Sequence, residues 1–218
     1  MGLGKPHSPG VSLASRLVRG LIVASYKLQG WRVEGQPPAA KKFILVGAPH
    51  TSGWDFMVFL GATNEVGIEA SMLGKHSLFR WPMRRFMKDM GIIPIDRSKR
   101  SNYVEQLVGE FARRDQLALV VAPEGTRHSD GRWRSGFYHI AMGTGVPIVP
   151  VLVDRAGKTV IIGPAMEPTG DYPTDLTRIA DFFRVQQPEN PRFKEIDRDV
   201  ADAPGLSNPA SSALGASA

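Results

Sequence analysis

Short apolar runs alternate with amphipathic segments along most of this chain, and this alternation constrains the fold more than any other feature. Buried strands are predicted at "FILVGA", "IEASML", "GIIPI", "LALVVAP", "VPIVPVLV" and "TVIIG". Helices are predicted from Ser52 and Asp55 through "FMVFLGATNEV", near "WPMRRFMKDM", across "SNYVEQLVGEFARR", after Trp133 and over "TDLTRIADFFRVQ". Strands that alternate with helices favour an α/β fold, in which helices cover a mostly parallel sheet.

The length of 218 residues suits one α/β domain better than two. We expect residues 1–40 to form an N-terminal amphipathic helix and its lead-in, and residues 41–197 to form the main domain. From Arg198 the sequence reads "RDVADAPGLSNPASSALGASA", which cannot bury enough apolar surface to offset the loss of chain entropy. Residues 198–218 are therefore predicted to form a mobile tail.

The composition excludes several classes of protein and of site. A hydrophobic share of 42% with 22% charged residues is typical of a soluble globular protein. The absence of cysteine excludes disulfides, a thiolate nucleophile and a cysteine-ligated metal. The net charge of +6 predicts affinity for polyanions, which include nucleic acid, anionic lipid headgroups and phosphorylated substrates.

One uncharged run, from Ser135 to Val153, approaches the length of a membrane span. Four residues would break a helix there repeatedly: Gly143, Gly145, Pro147 and Pro150. A helix, a turn and a buried strand fit the run better, so we expect no transmembrane helix.

Residues 12–27 have the pattern of an amphipathic helix. One face carries the apolar residues Leu13, Leu17, Leu21 and Val18, and the basic residues Arg16, Arg19 and Lys27 lie elsewhere. Two interpretations remain open for this helix. It could pack on its own domain, or it could lie in a membrane interface with its basic residues toward anionic headgroups.

Polar residues follow three of the predicted strands. The stretch "VGAPHTSGWDF" places His50 at the end of the first strand and Asp55 one helical turn into the next element. A neutral imidazole can take a proton from an attacking hydroxyl if a carboxylate fixes its tautomer. By spacing alone, an ordinary loop histidine and a helix-capping aspartate remain an alternative.

The other two strand ends offer groups that suit a phosphate. In "APEGTRH", Gly125 would let the backbone approach a ligand closely, Arg127 offers a fork of N–H donors, and Glu124 could hold that arginine. In "GIIPIDR", the strand ends in Arg97. A surface ion pair and a solvated loop are the alternatives when either segment is taken alone.

Together and in this order, the segments resemble the glycerolipid acyltransferases, that is, the lysophosphatidic acid acyltransferases and their relatives. That family carries an H-x-x-x-x-D block, a glycine-rich apolar block ending in arginine, an E-G-T-R block and an apolar V-P-I-V-P-V block. The corresponding stretches here are "HTSGWD", "GIIPIDR", "EGTR" and "VPIVPV". The resemblance spans about residues 43–153.

The resemblance implies that His50 is the general base and that Asp55 orients it. The residues that it implies for binding the acceptor are Arg97, Glu124, Gly125, Thr126 and Arg127, with Lys75 as a further basic residue near the site. It implies an O-acyltransferase of phospholipid synthesis, which moves a fatty acyl group from acyl-CoA or acyl carrier protein to a hydroxyl of a glycerol phosphate or lysophospholipid. No cofactor or metal is expected, and "VPIVPV" would be a structural strand beside the acyl channel.

Some positions depart from the family pattern. His128 follows the E-G-T-R block where serine is common, and Pro94 and Asp96 occupy positions in the second block that differ in many members. These departures bear on which acceptor is used rather than on the chemistry.

Two other classes of function compete with this interpretation. A metal hydrolase could use His50, Asp55 and His128, but the sequence has no H-x-x-x-H or H-E-x-x-H pattern, and its one D-x-D, from Asp197 to Asp199, lies about 70 residues after His128. A basic module that binds a membrane or nucleic acid without catalysis could use "FRWPMRRFMK". Because no RNA- or DNA-binding motif accompanies that stretch, we expect a peripheral position on the inner face of the cytoplasmic membrane and no nucleic-acid partner.

Overall fold

The computed structural model describes residues 11–49, 55–95, 100–125, 133–194 and 196. The predicted tail lies outside these residues. The strands are β1 (Arg32–Glu34), β2 (Lys42–Ala48), β3 (Ala70–Lys75), β4 (Ile92–Ile95), β5 (Leu117–Val121), β6 (Ile148–Asp154) and β7 (Thr159–Ile162). The helices are α1 (Leu13–Leu28), α2 (Asp55–Glu65), α3 (Met83–Asp89), α4 (Arg100–Arg113), α5 (Gly136–Thr144), α6 (Tyr172–Gln186) and α7 (Pro191–Lys194), and a 3-10 turn covers His76–Phe79.

The strands form one sheet in the order β1-β7-β6-β2-β5-β3-β4. The strands from β6 to β4 in this order are parallel, β7 runs antiparallel to β6, and β1 runs parallel to β7. The prediction of an α/β fold with a mostly parallel sheet is confirmed. Since Val46 of β2 pairs with Val121 of β5, and Ala48 pairs with Leu152 of β6, the carboxyl ends of these strands meet at one edge.

Helices cover both faces of the sheet, which explains why its central strands are apolar at nearly every position. Alternate residues of β2 separate into two cores. Ile44 and Val46 pack with residues of α4, α5 and α6. Phe43 and Leu45 face the other side, where they pack with α1 and α2. The result is a three-layer α/β/α arrangement with β2 at its centre.

The uncharged run from Ser135 to Val153 forms the predicted helix, turn and strand. Helix α5 ends at Gly145, which has a positive φ of 63°. Glycine adopts this left-handed conformation without the steric penalty of a Cβ, so it is a common helix terminator. The chain then enters β6, which is buried up to Val153.

Helix α1 packs on the domain through a face other than the predicted apolar one. Its buried residues are Ser15, Ile22 and Tyr26. On the opposite side, a leucine stripe consists of Leu13, Leu17, Leu21 and Leu28, which are 75%, 70%, 70% and 88% exposed. The helix is therefore anchored to the protein, yet it presents an apolar stripe to its surroundings. Within the described residues, none of the helices combines the length and apolar character needed to cross a bilayer.

A polar junction attaches the start of α1 to the end of α3. Asp89 accepts hydrogen bonds from the Ser12 backbone N–H at 3.1 Å and from the Ser15 hydroxyl at 2.8 Å. Partial burial acts to raise the pKa of Asp89, but the hydrogen bonds from Ser15 and Ser12 and the nearby Arg85 outweigh it, so the pKa is lowered. The junction therefore favours an ionised carboxylate.

Two elements were not predicted from the sequence. Strand β1 spans three residues, which is too short for a recognisable pattern. Helix α7 spans four residues and is held mainly by one side chain, Phe193, which is 1% exposed and lies 5.0 Å from Phe183 between ring centroids. Both elements depend on tertiary contacts rather than on local propensity.

Candidate active site at the carboxyl edge of the sheet

Three of the four sequence blocks that resemble an acyltransferase lie at the carboxyl edge of the sheet, and the fourth lies within the sheet. The first block begins directly after β2, the second contains β4, and the third follows β5. The fourth forms the beginning of β6. Because these strands are parallel, their carboxyl ends line one edge, where α/β proteins commonly bind ligands.

Several predicted site residues lie outside the described part of the chain. They are His50, Arg97, Thr126 and Arg127. The described residues nearest to them along the chain are Pro49 and Asp55 around the first block, Ile95 before Arg97, and Gly125 before Thr126. The structure therefore locates the ends of the segments that carry these residues.

Asp55 is the first residue of α2 and is 2% exposed. A carboxylate at this position is stabilised by the positive end of the helix dipole. Its Oδ1 also accepts from Nη2 of Arg155, an arginine 100 residues further along the chain. This ion pair supplies the counter-charge that a buried carboxylate requires.

Arg155 lies in the tight turn between β6 and β7. The carboxylate of Asp154 accepts backbone hydrogen bonds from Ala156 at 3.2 Å and from Gly157 at 3.1 Å, which closes the turn. Nζ of Lys158 donates to the carbonyl of Gln29 at 2.9 Å, which ties the turn to the end of α1. The backbone that carries Arg155 is therefore held on two sides.

Glu124 follows β5 and is 1% exposed. Its Oε2 accepts from Nη1 of Arg192 at 2.8 Å, across 68 residues of sequence. Arg192 lies on α7, and its side chain is 34% exposed. A guanidinium from the end of the chain therefore lies against the E-G-T-R block.

The backbone at Gly125 is closely covered by another arginine. Gly125 has a φ of +74°, and a Cβ built on it would lie 3.0 Å from Nε of Arg134. Glycine is favoured here chiefly because a side chain would be strained at this φ, and a Cβ would also press closely on the Arg134 side chain. Arg134 and Arg192 thus both place positive charge next to the Glu124–Gly125 turn.

Lys75 is the last residue of β3 and is exposed. It pairs with Ile95, the last residue of β4, and β3 is the neighbour of β5 in the sheet. Lys75 therefore lies on the same edge as the Glu124–Gly125 turn, as expected for a basic residue near the site.

A cavity of about 310 Å³ opens beside this edge, between α1, α2 and the β6–β7 turn. Most of its lining is apolar, and it includes Ile22, Tyr26, Trp31, Met57 and Val58. Arg155 also lines the cavity, so the group that pairs with Asp55 is part of the cavity wall. The described residues contain no group of three or more His, Asp or Glu side chains placed to hold a metal ion.

Sequence reasoning missed Arg134, Arg155 and Arg192. Arg155 and Arg192 are separated from their carboxylate partners by 100 and 68 residues. No local pattern marks them, because "DRAG" looks like an ordinary turn and "NPRF" like a polar loop. Arg134 offered a weak signal, since it is a basic residue that closely follows the E-G-T-R block.

Comparisons with known proteins agree with these observations. The chain is 28% identical over 198 residues to 1-acyl-sn-glycerol-3-phosphate acyltransferase from Salmonella typhimurium, covering 80% of this chain and 78% of the relative. Identity to the yeast enzyme of the same name, from Saccharomyces cerevisiae, is 32% over 137 residues, which cover 59% of this chain and 44% of the relative. With the enzyme from Limnanthes douglasii, identity is 26%, and the match covers 65% of this chain and about half, 51%, of the relative.

Among solved structures, the fold is similar to the crystal structure of the 1-acyl-sn-glycerophosphate acyltransferase PlsC from Thermotoga maritima. The TM-score is 0.51 at 20% sequence identity, and the match covers 88% of this chain and 83% of that protein. The family model described as Acyltransferase matches residues 31–154, which include the described site residues Asp55, Lys75, Glu124 and Gly125. On this match, the chain belongs to the acyltransferase family.

Proposed function

We propose that this protein is an O-acyltransferase that moves a fatty acyl group from an acyl thioester to a hydroxyl of a glycerol phosphate or lysophospholipid. The observation that carries the proposal is the convergence of three of the family's sequence blocks, those at the ends of β2, β4 and β5, at one sheet edge, with a buried and ion-paired Asp55 at the start of α2. The relatives named for the transfer of an acyl group to 1-acylglycerol 3-phosphate support the acceptor class.

In the proposed reaction, His50 takes the proton of the acceptor hydroxyl while that oxygen attacks the thioester carbonyl. Asp55 orients the imidazole and stabilises the imidazolium that forms. Collapse of the tetrahedral intermediate breaks the carbon–sulfur bond. The sulfur takes the proton from His50 and leaves as the thiol. A positioned base contributes about 10²- to 10⁴-fold, so holding the two substrates together must supply much of the remaining acceleration.

The acceptor's phosphate is proposed to bind at the basic end of this edge. Arg97, Thr126 and Arg127 are its proposed ligands, together with the Gly125 backbone. The positive charge of Lys75 and Arg134 on the same edge supports an anionic substrate. Arginine suits this role because its planar fork of donors matches phosphate oxygens.

The acyl chain is proposed to occupy the cavity between α1 and α2. Its largely apolar lining suits a hydrocarbon chain, and its volume of about 310 Å³ lies within the range of small-molecule sites. Arg155 lines the cavity and pairs with Asp55, which supports an acyl chain bound next to the proposed chemistry.

A membrane surface is the proposed partner of α1 and α3. The leucine stripe of α1 is exposed, as are Met83, the first residue of α3, and Trp81, which lies just before that helix. Arg80, Arg84 and Lys88 accompany them in the sequence. Apolar side chains next to basic ones favour an interface that contains anionic lipid. A basic binding module without catalysis remains the second candidate function, because the same surface would serve it.

The base assignment is tested by replacing His50 with alanine. We expect His50→Ala to lose thiol release from acyl-CoA with a lysophospholipid acceptor, while the circular dichroism spectrum stays that of the wild type. His139→Ala on α5 is the matched control and should retain activity. Turnover by His50→Ala at the wild-type rate would contradict the assignment, and an inactive wild type over a panel of donors and acceptors would favour the binding module.

The phosphate assignment predicts a different kinetic signature. Arg127→Ala should raise the KM for the acceptor much more than the KM for the acyl thioester, because the donor does not use that arginine. Mass spectrometry of the lipid products identifies the acceptor and the acyl chain in the same assay. Equal changes in both KM values would refute the phosphate role.

The membrane assignment is tested by sedimentation with vesicles that contain anionic lipid. Leu17→Glu with Leu21→Glu should abolish co-sedimentation, because both leucines are 70% exposed on the stripe. Val185→Glu is a matched control, since this apolar residue is 78% exposed on α6. Equal loss of binding in both variants would show that added negative charge, rather than the leucine stripe, decides binding.

A further inference from the structure

The ion pair between Asp55 and Arg155 is suited to holding a carboxylate in one direction beside a reacting group. The Asp55 side chain is 3% exposed and the Arg155 side chain is 39% exposed. A carboxylate so deeply buried is stable only with a donor of opposite charge, because removing it from water otherwise costs several kcal/mol. Arg155 provides that donor and also lines the cavity.

The turn that carries Arg155 is rigid for reasons visible in its contacts. Asp154 closes it through two backbone N–H groups, at Ala156 and Gly157. A Cβ on Gly157 would lie 2.3 Å from Oδ2 of Asp154, so only glycine fits the closed turn. The hydroxyl of Thr159 donates to the Gly157 carbonyl at 2.9 Å. A guanidinium on such a turn can fix the direction of its partner.

Carboxylate geometry makes this direction important. A carboxylate can accept at both oxygens, and Arg155 binds Oδ1. An arginine on one oxygen therefore sets the angle at which the other oxygen meets a second donor. In a base–carboxylate pair, that angle decides whether the imidazole is held in the productive orientation.

We propose that Arg155 is a positioning residue for the reaction, which fixes the direction of the Asp55 carboxylate and, by neutralising its charge, opposes protonation of the proposed base. This inference rests on the proposed function and deepens it. The β6–β7 turn thereby becomes part of the active site, although it lies outside the four sequence blocks.

The two effects of Arg155 can be separated by two substitutions. Arg155→Met removes both charge and direction, so kcat/KM should fall on the order of 100-fold, the loss expected for a misplacement of about 1 Å at a reacting group. In the pH profile of kcat/KM for Arg155→Met, the acidic limb should also move to higher pH. The lost positive charge would let the imidazole keep its proton up to a higher pH. Arg155→Lys keeps the charge, so its acidic limb should stay near the wild-type position while kcat falls.

Arg178 offers a matched control. It binds Oδ1 of Asp175 at 3.0 Å, and the side chains of this pair are 48% and 4% exposed, close to the values of the Arg155 pair. Arg178 lies on α6, outside the four sequence blocks. Arg178→Met should lower the melting temperature but leave kcat/KM and its pH dependence unchanged.

Three outcomes decide the inference. If Arg155→Met behaves like Arg178→Met, with lower stability but an unchanged pH profile and kcat, then Arg155 is merely structural and the inference is overturned. If Arg155→Met is too unstable to assay, Arg155→Lys alone decides, and an unchanged kcat in that variant overturns the inference. If His50→Ala remains active, the proposed function itself fails. This failure can be told apart from failure of the inference, because the His50→Ala assay involves no Arg155 variant.

Discussion

Two kinds of buried carboxylate occur in this protein, and their surroundings differ. Asp175, on α6, is held by nearby groups. It accepts from the Tyr138 hydroxyl at 2.8 Å, from the backbone and hydroxyl of Thr169 at 2.6 and 3.0 Å, and from Arg178 of its own helix at 3.0 Å. Asp55 and Glu124, at the sheet edge, are each held by an arginine from a distant part of the chain.

The difference separates a structural role from a positional one. Thr169 and Arg178, both within six residues of Asp175, donate three of these four hydrogen bonds, and Tyr138 of α5 donates the fourth. The arginines at Asp55 and Glu124 arrive on the β6–β7 turn and on α7, so both carboxylates depend on the complete fold for their direction. We interpret this dependence as a mark of carboxylates whose direction serves a site, which is the proposed base for Asp55 and the acceptor for Glu124.

The largest effect is expected at Asp55. Asp55→Asn should lower kcat/KM by about 10⁴-fold, as in a catalytic triad whose aspartate is replaced by asparagine, because the amide stabilises the wrong imidazole tautomer. Steady-state thiol release measures the loss, and thermal unfolding checks that the variant is folded. Nearly wild-type turnover would move Asp55 into the same class as Asp175.

A smaller effect is expected at Glu124, with a different signature. Glu124→Gln should raise the KM for the acceptor by about 10- to 100-fold, since hydrogen bonds to charged groups are worth about 1.5–3 kcal/mol. The KM for the thioester should change little. A fall in kcat alone would instead assign Glu124 to the chemical step.

A still smaller effect is expected at Arg192, which acts on the acceptor only through Glu124. Arg192→Gln should raise the acceptor KM by roughly tenfold, which corresponds to about 1.4 kcal/mol. Arg192→Lys should restore part of the loss because the charge is kept. If the lysine variant gains nothing over the glutamine variant, the direction of the guanidinium fork matters more than its charge.

The smallest effect on activity is expected in the Asp175 cluster. There, substitution should instead change how the free energy of unfolding depends on pH. Burial and the hydrogen bond to Asp175 raise the pKa of Tyr138 to about 12. The neutral phenol is therefore favoured by folding, so its contribution to stability is complete below about pH 10 and is lost as the pH rises toward 12. Tyr138→Phe should remove this part of the alkaline destabilisation, measured by urea unfolding, and should leave kcat/KM unchanged. The same alkaline loss in Tyr138→Phe would assign it to other groups.

The fold was largely predictable because its signals are local. Each central strand is a short apolar run, and the flanking helices have amphipathic patterns, so their alternation indicated a parallel sheet covered by helices. The direction of β7 was not predictable, because a strand looks the same in sequence whichever way it pairs. The place of β1 beside β7 likewise depends on contacts across more than a hundred residues.

The candidate site was predictable in part, for a related reason. Residues that follow parallel strands reach the same edge, so the fold alone brings Asp55, Lys75 and Glu124 to one region. Their partners Arg155 and Arg192 were not predictable, because an ion pair across 100 or 68 residues depends on the register of the whole sheet and on the position of α7. The exposure of the leucine stripe was undecidable as well, since an amphipathic pattern does not say which face meets the protein.

The hydrogen bond from Lys158 to the end of α1 links the position of that helix to the position of the β6–β7 turn. It joins the end of the helix that bears the leucine stripe to the turn that bears Arg155. With α1 seated in a leaflet, the reacting atoms would stand at a constant height above the hydrocarbon. A lysolipid would then need to rise only until its glycerol reached that height, and its tail could stay in apolar surroundings throughout.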